Sequence, residues 1–112
     1  MVASFYSMHT LQPSEYSLES IEPTELYAIG RDDFYRLVNR DVEAMRIHVE
    51  QLISRFHAYQ QLFLSRIKNS PQQRYEELLR EHPDILKRVP QHYIASYLGI
   101  TAVSLSRIRG RH

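Results

Sequence analysis

From Asp33 to Asn69 the chain carries neither glycine nor proline, and across that stretch its apolar residues keep a fixed rhythm. Val42, Met45, Val49, Leu52, Phe56, Tyr59 and Phe63 follow one another at alternating spacings of 3 and 4. That spacing lays them along one stripe of an α-helix, the a/d seam of a coiled coil. The rhythm breaks where Arg66 takes the next position, while Ile47, Ile53, Leu62, Leu64 and Ile67 add a broader apolar flank. A helix of about 36 residues is about 54 Å long. A compact chain of this length is only roughly 34 Å across. The helix overshoots its own domain, and the simplest cover for its seam is a second copy alongside, a parallel homodimer. The competing arrangement is a helix kinked near Asn39–Asp41 and folded within one chain.

Charge is distributed unevenly along the 112 residues. The net value is only +1, but residues 1–65 hold five arginines against nine acids, a net −4. Residues 66–112 hold nine Lys/Arg against four acids, a net +5. After Asp84 there is no acid at all, whereas Lys87, Arg88, Arg107, Arg109 and Arg111 all follow it. Such an asymmetry points to a polyanionic partner for the second half, since a merely solvated surface mixes its signs.

The absence of cysteine excludes disulfides, Cys-ligated zinc, iron–sulfur clusters and a thiol nucleophile, and suits a reducing cytoplasm. No apolar run approaches the ~20 residues of a membrane span. The opening MVASFYSMHTLQ lacks a basic start followed by an apolar stretch, so no secretory leader is expected.

Ahead of the long helix, Val2–Met8, Tyr16–Ile21 and Leu26–Ile29 are rich in β-formers. They are separated by Gln12-Pro13-Ser14 and Glu22-Pro23-Thr24 and read as short strands. Three such strands bury little alone, and the segment 1–31 reads as an incomplete β piece. Beyond the helix, Ser70, Pro71 and Gln73 form a capping-box pattern that opens another helix. Ile85–Val89 reads as a short strand. Gln91–Leu98, Gly99 and Thr101–Arg109 then read helix, tight turn, helix. Ile94, Ala95 and Leu98 face inward on the first helix, Leu105 and Ile108 on the second, and Thr101 caps the second. This is the pattern of a DNA-binding helix-turn-helix. The second helix offers Ala102, Val103, Ser104, Ser106, Arg107, Arg109 and Arg111. An Arg forks onto guanine or neutralises phosphate, Thr101 and Ser104 bond phosphate, and Ala102 or Val103 meets a thymine methyl.

At these residues the chain strongly resembles the C-terminal part of bacterial Crp/Fnr-type transcription regulators. The resemblance rests on Arg74-Tyr75-x-x-Leu78-Leu79, on Arg88-Val89-Pro90-Gln91-x-x-Ile94-Ala95-Ser96-Tyr97-Leu98-Gly99-Ile100-Thr101, and on Leu105-Ser106-Arg107-Ile108-Arg109. It extends less specifically back through Asp41–Lys68 and Tyr16–Leu37. It implies the end of a cyclic-nucleotide-binding-like barrel over 1–31, a dimerisation helix over 32–69 and a winged helix-turn-helix over 70–112. Most of such a barrel would lie ahead of Met1. With no Gly-Glu pair and no Arg before Arg31, nothing here could cradle a cyclic phosphate, so no cofactor is expected. Arg107 matches the family's base-contacting Arg, but Ala102 and Val103 stand where many members carry Arg or Pro and then Glu, which implies altered specificity.

The expectation is therefore a mainly α chain that acts as a homodimeric, sequence-specific DNA-binding regulator in the cytoplasm, on a palindromic site. Lys87, Arg88 and Gln91 would join the residues of the second helix in positioning the DNA backbone, and RNA polymerase is a further partner that the resemblance allows. The alternative is a truncated dimerisation module that modulates a full-length regulator without reading bases. An enzyme is not expected. His48 and His57 stand about 180° apart on a helix and cannot share a metal, and no His-x-x-x-His, His-Glu-x-x-His, Gly-x-Ser-x-Gly or phosphate-cradling glycine loop occurs.

Overall fold

Asp41 divides the long glycine-free stretch into two helices, α2 (Arg31–Arg40) and α3 (Val42–Lys68). Its backbone is extended, at φ −114° and ψ 111°, while its N–H still donates to the Leu37 carbonyl and closes α2. Its side chain then opens α3, since Oδ1 accepts from the Glu43 N–H at 2.9 Å and the Ala44 N–H at 3.3 Å. One aspartate thus ends one hydrogen-bond ladder and starts the next. The single helix of about 36 residues is thereby corrected to a 27-residue α3, about 40 Å long. In the first turns of α3, Arg46 bonds both Glu43 and Glu50 and holds the Glu43 carboxyl below the usual carboxylate range.

The computed structural model describes residues 1–111, and they contain seven helices and no strand. The mainly helical class stands. The expected strand pieces and the wing do not: no residue described takes part in a sheet. Val2–Met8 gives way to α1 (Phe5–Thr10), ended by Leu11 in the left-handed conformation. Tyr16–Ile21 and Leu26–Ile29 form no regular element and lie exposed, Tyr27 fully so. The physical reason is shared. A strand satisfies its backbone only against a neighbouring strand, whereas a helix satisfies its own.

The chain divides into two compact units, Met1–Leu52 and Ile53–His112, the division falling within α3. In the first unit Phe34 and Val38 of α2 are buried. Phe34 meets His48 edge-on with ring centroids 4.9 Å apart, and Arg31 Nε donates to the Met8 carbonyl at 2.6 Å.

The second unit holds the main core: Tyr75, Leu78, Leu86, Ile94, Ala95, Leu98, Leu105 and Ile108, with Ile85, Val89 and Ile100 packed against them. These side chains come from α4 (Pro71–Glu81), α5 (Pro83–Arg88), α6 (Gln91–Leu98) and α7 (Ala102–Gly110) and from the links between them. The capping box of α4 forms as its sequence predicts, with Ser70 and Gln73 bonding each other's backbone N–H groups. Ile85–Val89, expected as a strand, is instead largely α5. Pro83 occupies its first turn beside Asp84, and Lys87 and Arg88 its last, each suited to its end of the helix dipole. Ile85 on α5 and Val89, the extended residue that closes it, both pack against the core.

Candidate nucleic-acid interface

The turn between α6 and α7 is built from backbone geometry first. Gly99 stands at φ 71° and ψ 33°, the left-handed conformation that ends α6. The Ile100 N–H donates to the Ala95 carbonyl at 2.9 Å and the Gly99 N–H to the Ser96 carbonyl at 3.1 Å, the paired bonds of a Schellman turn. A methyl group at Gly99 would meet nothing closer than Arg74 Nη2 at 3.9 Å, so backbone conformation rather than space demands glycine there. Gly99→Ala is expected to destabilise the second unit by about 1–2 kcal/mol, the strain of a left-handed residue bearing a Cβ, as read from urea unfolding. An unchanged midpoint would refute that account.

Thr101 opens α7: its Oγ1 accepts from the Ser104 N–H at 3.1 Å and donates to Ser104 Oγ at 3.0 Å. Leu105 and Ile108 lie in the core, Leu105 with no exposed surface. At 100° per residue, the side of α7 opposite them carries Val103, Ser106, Arg107 and Gly110, all exposed. A Cβ on Gly110 would meet nothing within 4 Å, which marks open ground beside Arg107.

The expected site residues therefore separate. Val103, Ser106 and Arg107 share the outward face. Thr101 and Ala102 are exposed at the start of α7, Ser104 is half-buried and engaged with the cap, and Arg109 is half-buried on a flank. Arg111 is exposed, with Nη1 3.4 Å from Gln72 Oε1. Lys87 and Arg88 are exposed at the end of α5, where Arg88 lies 3.9 Å from Asp84, and Gln91 is the exposed first residue of α6.

Two arginines that sequence reasoning did not place in the site stand behind it. Arg74 donates through Nη2 to the Leu98 carbonyl at 2.6 Å and through Nη1 to the Asn69 carbonyl at 2.8 Å. Arg66 donates to the Tyr97 carbonyl at 2.5 Å. The available signal was their place on either side of the Asn69-Ser70-Pro71 turn, ahead of a helix ended by glycine, whose last carbonyls require donors. Nearby, Glu77 accepts from Ser65 Oγ at 2.8 Å and from the Asn69 amide, fastening α4 to the last turn of α3.

The seam residues lie on α3 as the spacing predicts, and α3 buries none of its side chains. Val42, Val49 and Leu52 are exposed and Met45 half-buried. Phe56, Tyr59 and Phe63 are 71%, 68% and 64% exposed, and Ile67 continues their stripe.

Among the described residues no group of three or more His, Asp or Glu could hold a metal ion. A cleft of about 430 Å³ in the second unit is lined by both signs of charge, Lys68 and Arg74 together with Glu77 and Glu81. No helix among those residues is long and apolar enough to cross a membrane. Compared with family models, curated proteins and solved structures, the chain matches none.

Proposed function

We propose that this chain is a sequence-specific DNA-binding transcription regulator that works as a homodimer. One observation carries the reading. On α7 the inward Leu105 and Ile108 are buried and the outward Val103, Ser106 and Arg107 are exposed, in a stretch with no acid after Asp84. A helix presented in that way suits the major groove, where Arg107 would fork onto guanine O6 and N7 and Val103 would meet a thymine methyl. Lys87, Arg88, Gln91, Thr101, Arg109 and Arg111 would position the phosphate backbone. The resemblance of Arg74–Arg109 to Crp/Fnr-type regulators points the same way, as does the net +5 of residues 66–112.

The dimer rests on α3. An isolated helix in water is marginal without packing on an apolar face, and α3 has such a face with nothing buried on it. In parallel register Leu62 of one protomer falls beside the partner's Ile67, which extends the apolar seam past Phe63. Two α7 helices related by a two-fold axis would enter successive major grooves about 34 Å apart. On this reading the chain works in the cytoplasm without cofactor or catalysis, and RNA polymerase is a further partner.

Selection from randomised duplexes at two salt concentrations tests it, a palindromic consensus being the expected result. Arg107→Ala should cost about 1–3 kcal/mol on the selected site and relax one base position. Lys87→Ala should weaken all sequences alike and reduce the salt slope by about one. Equal losses on selected and random DNA for Arg107→Ala would remove the base-reading role. A chain that dimerises yet selects no sequence fits the second reading, a dimerisation module acting on a full-length regulator, which the exposed stripe of α3 alone favours.

A further inference from the structure

We propose that Arg66 is a positioning residue which, with Arg74, fixes the helix-turn-helix on the end of α3, so that pairing of α3 sets the spacing of the two reading helices. The inference rests on the reading above and is carried by the carbonyls at the end of α6. The last carbonyls of any helix lack intrahelical donors. In α6 each of them is answered. Ala95 and Ser96 receive the Ile100 and Gly99 N–H groups of the turn, at 2.9 and 3.1 Å. Tyr97 and Leu98 receive the guanidinium groups of Arg66 and Arg74, at 2.5 and 2.6 Å. Two cations thus sit at the negative end of the α6 dipole, where they are favoured.

Neither arginine belongs to the reading pair. Arg66 stands on the last turns of α3, and Arg74 on α4, where its second bond reaches the Asn69 carbonyl just past the end of α3. The backbone at the close of α3 and the backbone at the turn of the reading pair are therefore held by the same two side chains.

The position of Arg66 in the seam gives this bond its meaning. Counting from Phe63, the 3–4 rhythm places Arg66 where an apolar residue would face a partner. Two arginines there would repel across a parallel dimer. Its guanidinium is bonded to α6 instead, and the stripe continues through Ile67, 66% exposed. One residue leaves the pairing surface and holds the reading element.

Arg74 is partly buried among core residues, so Arg66, which is exposed, is the residue to vary. The chain has no cysteine, which allows spin labels at Gln60→Cys on α3 and Ser96→Cys on α6, with labelled chains diluted into unlabelled ones. The label distance should be narrow in the parent. In Arg66→Gln the ratio of chains at that distance to chains displaced from it should fall roughly fivefold, one hydrogen bond's worth. Arg66→Lys, which keeps a charged donor, should recover most of it. A structural role without positioning would lower the thermal midpoint and leave the folded distribution narrow, which overturns the proposal, as does an unchanged distribution. The second readout uses DNA: Arg66→Gln should keep its affinity for a single half-site and lose preference between half-sites a full and a half helical turn apart. Should the parent ignore DNA while the label distance broadens, the DNA reading fails and the positioning role stands. Should the parent read DNA with the distance unaltered, the reverse holds.

Discussion

The double variant Phe56→Ala/Phe63→Ala is expected to sediment as a monomer at micromolar concentration, where the parent chain is expected to sediment as a dimer. Both rings are largely exposed on the single chain, so their removal takes nothing from its core. In the proposed dimer they are the two largest wholly apolar members of the seam. Burial of a phenylalanine side chain contributes roughly 1.5–3 kcal/mol, and a two-fold interface counts each substitution twice. The dissociation constant should therefore rise roughly ten-thousandfold or more. Affinity for a palindromic duplex should fall to that for one half-site, because the second contact becomes an independent event. Urea unfolding of the α4–α7 core should change little, which separates loss of pairing from loss of fold. A variant that stays dimeric would show that α3 is covered by something else.

Leu105→Ala should have the largest effect within a single chain. Leu105 has no exposed surface and Leu98 on α6 has 1%, and both lie in the one core shared by α4 to α7. Truncation of a buried leucine to alanine costs about 2–5 kcal/mol. A unit of this size has roughly 3–9 kcal/mol of stability in all, at 0.05–0.15 kcal/mol per residue. The expected result is a second unit substantially unfolded at room temperature, seen as lost helical circular dichroism and a lowered urea midpoint. Ser106→Ala, one residue along and exposed, should stay within about 0.5 kcal/mol of the parent. Similar losses for the two variants would mean that the inward and outward faces of α7 are wrongly assigned.

The second unit was largely legible because its signals are local. Ser70, Pro71 and Gln73 make a cap that depends on four consecutive residues, and Gly99 followed by Thr101 marks a turn whose bonds close within five. The inward set Ile94, Ala95, Leu98, Leu105 and Ile108 follows from helical spacing alone, and all five are buried. The first unit was not legible in the same way. β-forming residues such as those of Leu26–Ile29 state a preference that only a neighbouring strand can satisfy, and none is supplied within the described residues. The break at Asp41 falls where the competing reading put a kink, near Asn39–Asp41. The apolar rhythm does not decide for it, since helix pairs and single helices share that rhythm and an aspartate ahead of Val42-Glu43 is a weaker signal than a Gly or Pro break. Arg66 reads only as the break in the seam and Arg74 only as part of the resemblance, because the acceptors that define their roles are backbone carbonyls, whose positions no side-chain pattern fixes. Within the candidate site, periodicity separates Val103, Ser106 and Arg107 from the core. It does not show that Ser104 is drawn into its own cap or that Arg109 is half-buried.

That α3 buries no side chain of its own has a thermodynamic consequence. A helix stabilised by a second copy follows mass action, so its melting temperature rises with the amount of protein in the tube. Heated at different dilutions, the chain should give a family of curves in which the α3 transition moves with concentration. The transition of the α4–α7 core, closed within one chain, should stay where it is. Abundance would then act as a control input, since a sparse population would hold single reading heads and a dense one the paired heads that span a palindrome.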